Sequence, residues 1–144
     1  MSVSNILGVK GRNVFTARAS DKIADIVKAL AEKRIGAIVV TDAAGKIEGI
    51  VSERDVVKHL AKEGASLLAK PASAIMTRNV KTCSESDDEQ ELMTLMTENR
   101  IRHLPVVSSG KLAGMISIGD VVKYRIECIE READHMKAYI AGAA

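Results

Sequence analysis

The chain contains an internal repeat, and this repeat constrains its fold more than any other feature of the sequence. Shifting the sequence by 66 positions aligns two segments without a gap. The identical pairs are Val14/Val80, Thr16/Thr82, Ser20/Ser86, Asp21/Asp87, Glu32/Glu98, Arg34/Arg100, Ile35/Ile101 and Val40/Val106. One residue is then lost in a turn, after which GIVSERDVVK at 49–58 aligns with GMISIGDVVK at 114–123 with six identical positions. A match of this length and order indicates two copies of one structural unit.

The first copy predicts the element order β-α-β-β-α. Its elements are an extended segment at 14–16, a helix at 22–33, strands at 37–42 and 47–52, and a helix at 53–63. Apolar residues at three- and four-residue spacing indicate the first helix, and β-branched runs around a Gly turn indicate a hairpin. We expect Ser20 and Asp21 to cap the first helix, and the second helix to follow Ser52.

The second copy predicts the same order and a longer final helix. Its elements are an extended segment at 80–82, a helix at 88–99, strands at 104–107 and 112–117, and a helix from Ile118 to about Ile140. A short helical piece is expected at 73–76, in the loop between the copies. The last helix is amphipathic beyond its repeat, so a second subunit is expected to cover it and form a homodimer.

These elements predict a mixed α/β (α+β) fold in which two repeats pack as a pseudo-twofold pair. The predicted domains are an N-terminal segment at 1–13, repeat one at 14–63, a linker at 64–79, repeat two at 80–126 and a C-terminal helix extension at 127–144. Aromatic residues make up 2% of the chain, so the core is expected to be aliphatic.

Composition and local sequence patterns argue against several classes of protein. A formal net charge of +2 with interspersed acidic and basic residues does not indicate nucleic-acid binding. No apolar run reaches the ~18 residues of a membrane span, and the N-terminus does not resemble a signal peptide, so a soluble cytoplasmic protein is expected. Cys83 and Cys128 fit no metal or redox spacing and are interpreted as ordinary thiols.

A Ser-x-x-Asp pair opens the last helix of each copy, Ser52–Asp55 in the first and Ser117–Asp120 in the second. One interpretation is structural, with Ser capping the helix and Asp in its first turn. The other is ligand binding, since a carboxylate there can accept two hydrogen bonds from a ribose diol while the helix N-terminus attracts phosphate. The repetition of the pair at the same place favours ribose binding.

The segments GIVSERD and GMISIGD, each preceded by a VV strand and a Gly turn, with IMT ahead of the second copy, resemble the CBS-domain family over residues 14–126. The resemblance implies that two repeats pair through their sheets into a module and that modules commonly dimerise. It also implies adenosine-containing ligands between the repeats, here AMP, ATP or NAD(H), and a regulatory role toward a partner protein. No catalytic cofactor is expected.

The resemblance also implies which residues line the two clefts. One cleft is expected to hold Thr16, Arg18, Gly36, Ala37, Ser117 and Asp120. The other is expected to hold Ser52, Arg54, Asp55, Thr82, Ser84, Arg102 and His103. Because Arg54, Arg102 and His103 fall in one of them, the clefts are expected to differ, with NAD(H) or another phosphate-rich ligand favoured there and AMP in the other. The alternative for His103 is a purely structural histidine.

Three functions remain open from the sequence. The favoured one is a regulatory sensor that binds an adenine nucleotide and signals to an unidentified protein. An enzyme is not expected, because the chain has no triad spacing, metal cluster, P-loop or GxGxxG turn. The alternative is a structural or nucleic-acid-binding pair of repeats. The basic residues of RIRH at 100–103 support nucleic-acid binding, although stacking aromatics are almost absent.

Overall fold

Two small sheets organise the chain, and each is formed by one repeat. The computed structural model describes residues 2–143. Its elements are α1 (Val3–Lys10), β1 (Thr16–Ala17), α2 (Ile23–Lys33), β2 (Ala37–Thr41), β3 (Ile47–Ser52), α3 (Glu53–Glu63), α4 (Glu89–Asn99), β4 (His103–Ser108), β5 (Lys111–Ser117) and α5 (Ile118–Ala143). Two short 3-10 helices, Gly64–Ala69 and Ala72–Ala74, lie in the linker, where only the second was expected. The α/β class and the long C-terminal helix are confirmed.

Equivalent strands pair in the same register in both sheets, as expected of two copies of one unit. In the first, β1 runs parallel to β2 with Ala17 opposite Val40, and β2 runs antiparallel to β3. In the second, β4 and β5 form an antiparallel pair, and Cys83 makes a parallel bridge to Val106. The strand register of each hairpin shifts directly after an equivalent valine, Val40 in the first and Val106 in the second. The extended segment of the second copy is therefore reduced to a single bridge, one residue beyond the predicted 80–82.

The helix ends repeat as well, with one correction to the predicted caps. Arg34 and Arg100, which are equivalent, both end a helix in the left-handed conformation with φ of 53°. The expected capping of α2 by Ser20 and Asp21 is wrong, since its N-cap is Lys22 and makes no side-chain cap. The Asp21 carboxylate instead accepts a hydrogen bond from the Arg18 amide at 2.9 Å, which closes the turn before the helix.

Each repeat is completed by the segment that precedes the other repeat. The N-terminal residues, for which no element was predicted, form α1 and bury Val3, Ile6 and Leu7 in the core of the second repeat. Ile75 and Met76, just before the second repeat, are buried in the core of the first. Because the exchanged segments cross between the repeats, the two cores depend on each other.

The two cores are aliphatic, as expected. Cys83 and Cys128 are buried and are not joined in a disulfide, and burial raises the pKa of Cys83 to about 12. Across residues 2–143, none of the helices is both long and apolar enough to span a membrane.

Candidate functional site

The Ser52–Asp55 pair lies where β3 ends and α3 begins, and it forms a reciprocal cap. Asp55 Oδ2 accepts hydrogen bonds from the Ser52 amide at 2.9 Å and from Ser52 Oγ at 3.0 Å. Ser52 Oγ in turn accepts from the Asp55 amide at 3.2 Å. The pair therefore forms the helix cap that the structural interpretation predicts. The cap bonds use Oδ2 of Asp55, and the other carboxylate oxygen, Oδ1, takes no part in them. The cap fixes the carboxylate at the helix N-terminus without using all of its acceptor capacity.

A cavity of about 240 Å³ lies beside this cap, between the two repeats. Its lining residues come from β3, from the starts of β2 and α3, from the end of the linker and the start of the second repeat, and from the end of α4 to the start of β4. They are Gly36, Ala37, Ile50, Ser52, Glu53, Arg54, Asp55, Thr77, Asn79, Val80, Lys81, Arg100, Ile101, Arg102 and His103. Four of these side chains are basic and two are acidic, so the cavity favours an anion.

His103 lines this cavity and lies against Gly36 of the other repeat. A Cβ added at Gly36 would come within 2.9 Å of His103 Cε1, so the glycine permits the close approach. Burial lowers the pKa of His103 below its ordinary 6.5, Lys10 and Arg102 lower it further, and Glu53 and Asp120 oppose the shift. The imidazole is therefore held neutral at pH 7.

The Ser117–Asp120 pair repeats the cap but has different surroundings. The Ser117 amide donates to Asp120 Oδ2 at 2.9 Å, and the Asp120 amide donates to Ser117 Oγ at 3.2 Å. In addition, Lys10 Nζ lies 2.5 Å from Asp120 Oδ2. Partial burial by itself would raise the pKa of Asp120, but the hydrogen bonds from Lys10 and Ser117 outweigh it, and the pKa is lowered. Asp120 is thus an ion-paired carboxylate.

The structure brings part of the expected binding set together. Ser52, Arg54, Asp55, Arg102 and His103 line one cavity. Gly36 and Ala37, expected beside Ser117 and Asp120, also line this cavity. The reason is local, since the amide of Glu53 in the first turn of α3 donates to the Gly36 carbonyl at 3.0 Å and draws the start of β2 to its own repeat's helix.

The remaining expected residues lie outside the cavity lining. Thr16 and Thr82 are exposed. The Arg18 amide is bonded to Asp21, and the Ser84 amide and hydroxyl donate to Asp87 at 2.8 and 2.9 Å. These two turns occupy equivalent positions in the repeats, and in both an aspartate holds the backbone.

Several lining residues were not predicted from the sequence. Thr77 and Asn79 come from the end of the linker, Lys81 follows at the start of the second repeat, and Arg100 ends α4. Thr77 exchanges backbone hydrogen bonds with Ile50 of β3, which brings the linker to the cavity. The match of Val14 with Val80 was the sequence signal that could have indicated these residues, because it shows that the repeat begins directly after the linker.

Two β-α-β-β-α repeats that exchange their leading segments and enclose a charged cavity define a paired-repeat α/β module. The family model of the CBS domain matches residues 5–62 and 72–127. The chain therefore belongs to the CBS-domain family, as its motifs indicated.

Known relatives share this fold along most of their length. The chain is 32% identical to CBSX3, a mitochondrial CBS domain-containing protein of Arabidopsis thaliana, over 98% of this chain and 72% of the relative. The CBS-domain containing protein ATU1752 from Agrobacterium tumefaciens has a TM-score of 0.84 and 46% identity, covering 86% of this chain and 92% of that one. The CBS domain protein PAE2072 from Pyrobaculum aerophilum, solved in complex with AMP, has a TM-score of 0.75 and 28% identity, covering 83% and 89%.

Proposed function

We propose that this chain is a regulatory module that binds an adenine nucleotide in the cavity beside Asp55 and performs no chemistry of its own. The observation that carries the proposal is one cavity in which the capped carboxylate of Asp55 meets a surplus of basic side chains. A nucleotide offers both of the matching groups, a ribose diol and a phosphate.

The ribose and the phosphate are assigned to different parts of the cavity. Asp55 is fixed by its cap, so its carboxylate is ready to accept hydrogen bonds from the ribose hydroxyls. The N-terminus of α3 and the side chains of Arg54 and Arg102 supply donors and positive charge for the phosphate. Arg100 and Arg102 line a concave cavity, which suits a small anion better than the backbone of a nucleic acid.

The ligand class is supported by a structural relative. PAE2072 binds AMP and has the same fold. In the present chain, four basic against two acidic lining side chains favour ligands with more phosphate, so ATP or NAD(H) is preferred to AMP at Asp55. AMP is assigned to the second cleft at Asp120.

Signalling requires that the ligand distinguish two arrangements of the protein. Because the cavity is lined from both repeats, a bound nucleotide favours the arrangement in which both sets of contacts are made. A partner protein that contacts both repeats would bind the two arrangements with different affinities. A cytoplasmic homodimer is part of the proposal, and the apolar outer face of α5 supports the dimer.

Calorimetric titration with AMP, ATP, NAD+ and NADH tests the proposal. The informative variant is Asp55→Asn, because the amide oxygen can still accept the cap bonds while the charge is lost. Binding to the cavity should weaken by at least about tenfold, in line with the loss of charge-assisted hydrogen bonds. Asp134→Asn removes the same charge from the exposed surface of α5 and should bind like the unmodified protein. Equal affinities of Asp55→Asn and the unmodified protein for every nucleotide would refute the site.

A further inference from the structure

His103 joins the two repeats at the wall of the cavity, and its neighbours place it between two helix N-termini. In its own repeat it pairs with Ser117, the residue directly before α5. The tip of its ring lies against Gly36 of the first repeat, whose carbonyl accepts a hydrogen bond from the Glu53 amide at the start of α3. Because a helix N-terminus carries a partial positive charge, both helix starts disfavour a positive charge on the imidazole.

The repeat explains why the chain has one such imidazole. His103 and Arg102 are equivalent to Ala37 and Gly36 of the first repeat. A side chain at residue 36 would come within 2.9 Å of the imidazole, so the ring fills space that the glycine leaves open. Since His103 also lines the cavity, its ring is part of the wall that a ligand between the repeats contacts.

The ring nitrogens of His103 are available to such a ligand. Across residues 2–143, neither nitrogen is hydrogen-bonded to the protein. In the same range, the buried side-chain atom without a partner is Glu89 Oε2, so the imidazole nitrogens are not completely buried. The ring can therefore make a hydrogen bond to a ligand without breaking one within the protein.

The charged side chains packed around His103 act on it in opposite directions. Lys10 of α1 and the adjacent Arg102 oppose a positive ring. Glu53 of α3 and Asp120 of α5 favour it. Burial adds to the opposing side, so the pKa of the imidazole is lowered. A negative charge brought into the cavity would act in the direction of the two carboxylates. The other charged side chains of the lining are Arg54, Asp55, Lys81 and Arg100.

We propose that nucleotide binding in the cavity at Asp55 is coupled to the uptake of one proton by His103, so that the affinity rises as the pH falls below neutrality. The phosphate assigned to the N-terminus of α3 offsets the positive helix end and accepts a charge-assisted hydrogen bond from the protonated ring. The proton comes from the solvent. This inference rests on the proposed function, because the cavity must bind a nucleotide.

The direction of the effect and its pH range follow from linkage. A phosphate that favours the protonated ring is bound more tightly by the protonated protein, to the same extent. In the free protein the pKa of His103 lies below 6.5, and in the complex it is higher. Above the pKa of the complex the ring is neutral in both states, so the affinity does not depend on its titration. The affinity increases as the pH falls from that value to the pKa of the free protein, and then levels off.

The direct test is an NMR titration of the three histidines in the free protein and with saturating NAD+. The phosphates of NAD+ do not titrate near neutral pH, and ATP replaces it if NAD+ does not bind. We expect the pKa of His103 to rise by at least about one pH unit in the complex, which corresponds to a tenfold change in affinity. His135, exposed on α5, should titrate identically in both samples. The spectrum of His103→Gln assigns the signal, and an unchanged pKa of His103 in the complex would overturn the inference.

Matched variants test the effect on affinity. Dissociation constants are measured by calorimetry at pH 7.5, 6.5 and 5.5 for the unmodified protein, His103→Gln and His135→Gln. The affinity of the unmodified protein relative to His103→Gln should rise about tenfold over this range, the same fold-change as for a shift of one pH unit. This comparison cancels any titration of the ligand itself. His135→Gln should match the unmodified protein at each pH.

The outcomes separate this inference from the function on which it rests. A ratio between the unmodified protein and His103→Gln that is constant with pH would show a structural or pH-independent role of the ring, so the inference would fail and the nucleotide site would stand. If the unmodified protein binds no nucleotide at any of the three pH values, the proposed function fails first. Thermal melting verifies folding, and His103→Ala, which copies Ala37 of the first repeat, replaces His103→Gln if the latter unfolds.

Discussion

The same Ser-x-x-Asp pair forms the same cap at each helix start, and in the proposed function each carboxylate also binds the ligand. Ser52–Asp55 and Ser117–Asp120 make nearly identical caps, with amide-to-carboxylate distances of 2.9 Å in both. In both pairs the cap bonds go to Oδ2, so the cap leaves Oδ1 available for the proposed ligand. What distinguishes the two sites is the neighbour, which is Lys10 at Asp120 and the basic lining of the cavity at Asp55.

His103 predicts a pH dependence of stability. Its pKa is lowered by burial, so below pH 6.5 the unfolded chain takes up this proton while the folded protein does not. The folded state therefore has its full stability above pH 6.5, and the free energy of unfolding falls as the pH drops toward the folded pKa, by at most about 1.4 kcal/mol per pH unit. Urea denaturation at pH 7.5, 6.5 and 5.5 measures the slope.

The matching variants assign this slope to one residue. His103→Gln should lose this component of the pH dependence, because the neutral amide does not titrate. His135→Gln, on the exposed surface of α5, should keep the slope of the unmodified protein. An identical slope in His103→Gln and the unmodified protein would show that another group is responsible.

Among the elements, α1 is the one from outside the second repeat that contributes buried residues to its core. Leu7 is 1% exposed and lies against Gly114, where an added Cβ would come within 2.8 Å of Leu7 Cδ2. Gly114→Ala should therefore lower the free energy of unfolding by about 1–3 kcal/mol, the range for an overpacked core. Chemical denaturation measures the change.

A double-mutant cycle identifies the contact. Leu7→Ala removes the side chain that the new methyl group meets, so Gly114→Ala should cost less in a Leu7→Ala background than alone. Gly119→Ala is the matched control, because its Cβ would lie 3.7 Å from the nearest atom, Ser117 Oγ. Additive free-energy changes for Gly114 and Leu7 would disprove the proposed clash.

Most elements could be predicted from the sequence because each signal occurs twice. The strands β2 and β4 and the helices α2 and α4 combine strong local patterns with an equivalent in the other repeat. Helix α1 was not predicted, because it has only eight residues, includes Gly8, and the burial of its apolar residues depends on residues more than 100 positions away, such as Gly114. The lining residues Thr77 and Asn79 were missed for the same reason, since their place depends on the bridge to Ile50.

The cavity lining could be anticipated from the sequence where a side chain is fixed locally. Asp55 is positioned by its own helix cap, so its motif alone placed it at the helix start that lines the cavity. The pairing of Lys10 with Asp120 joins residues 110 positions apart, and no local pattern indicates it. Gly36 and Ala37 line the cavity at Asp55 because of a backbone contact with Glu53, and no local pattern in the sequence indicates this contact.

At the scale of the molecule, the outer face of α5 supports the proposed association of two chains. Large apolar side chains follow the helix at alternating spacings of four and three residues, with Ala133 completing the series, and all are at least 43% exposed. They are Val122, Ile126, Ile129, Met136 and Ile140. This is the heptad spacing of a coiled-coil seam, and a second copy of α5 supplies the same seam. Glu132 and Lys137 flank it five residues apart, the separation at which opposite charges meet across a parallel pair.

The seam predicts a charge-dependent dimer. Lys137→Glu would place a carboxylate opposite Glu132 of the second chain, so the dimer should dissociate at higher protein concentrations than the unmodified dimer, most clearly at low salt. Arg131→Glu reverses a charge on the side of α5 away from the seam and should leave the dissociation constant within about twofold, because exposed, distant charges are screened. Sedimentation velocity at several concentrations measures both. A monomer at all concentrations in the unmodified protein, or equal weakening by the two variants, would exclude a parallel α5 seam as the interface.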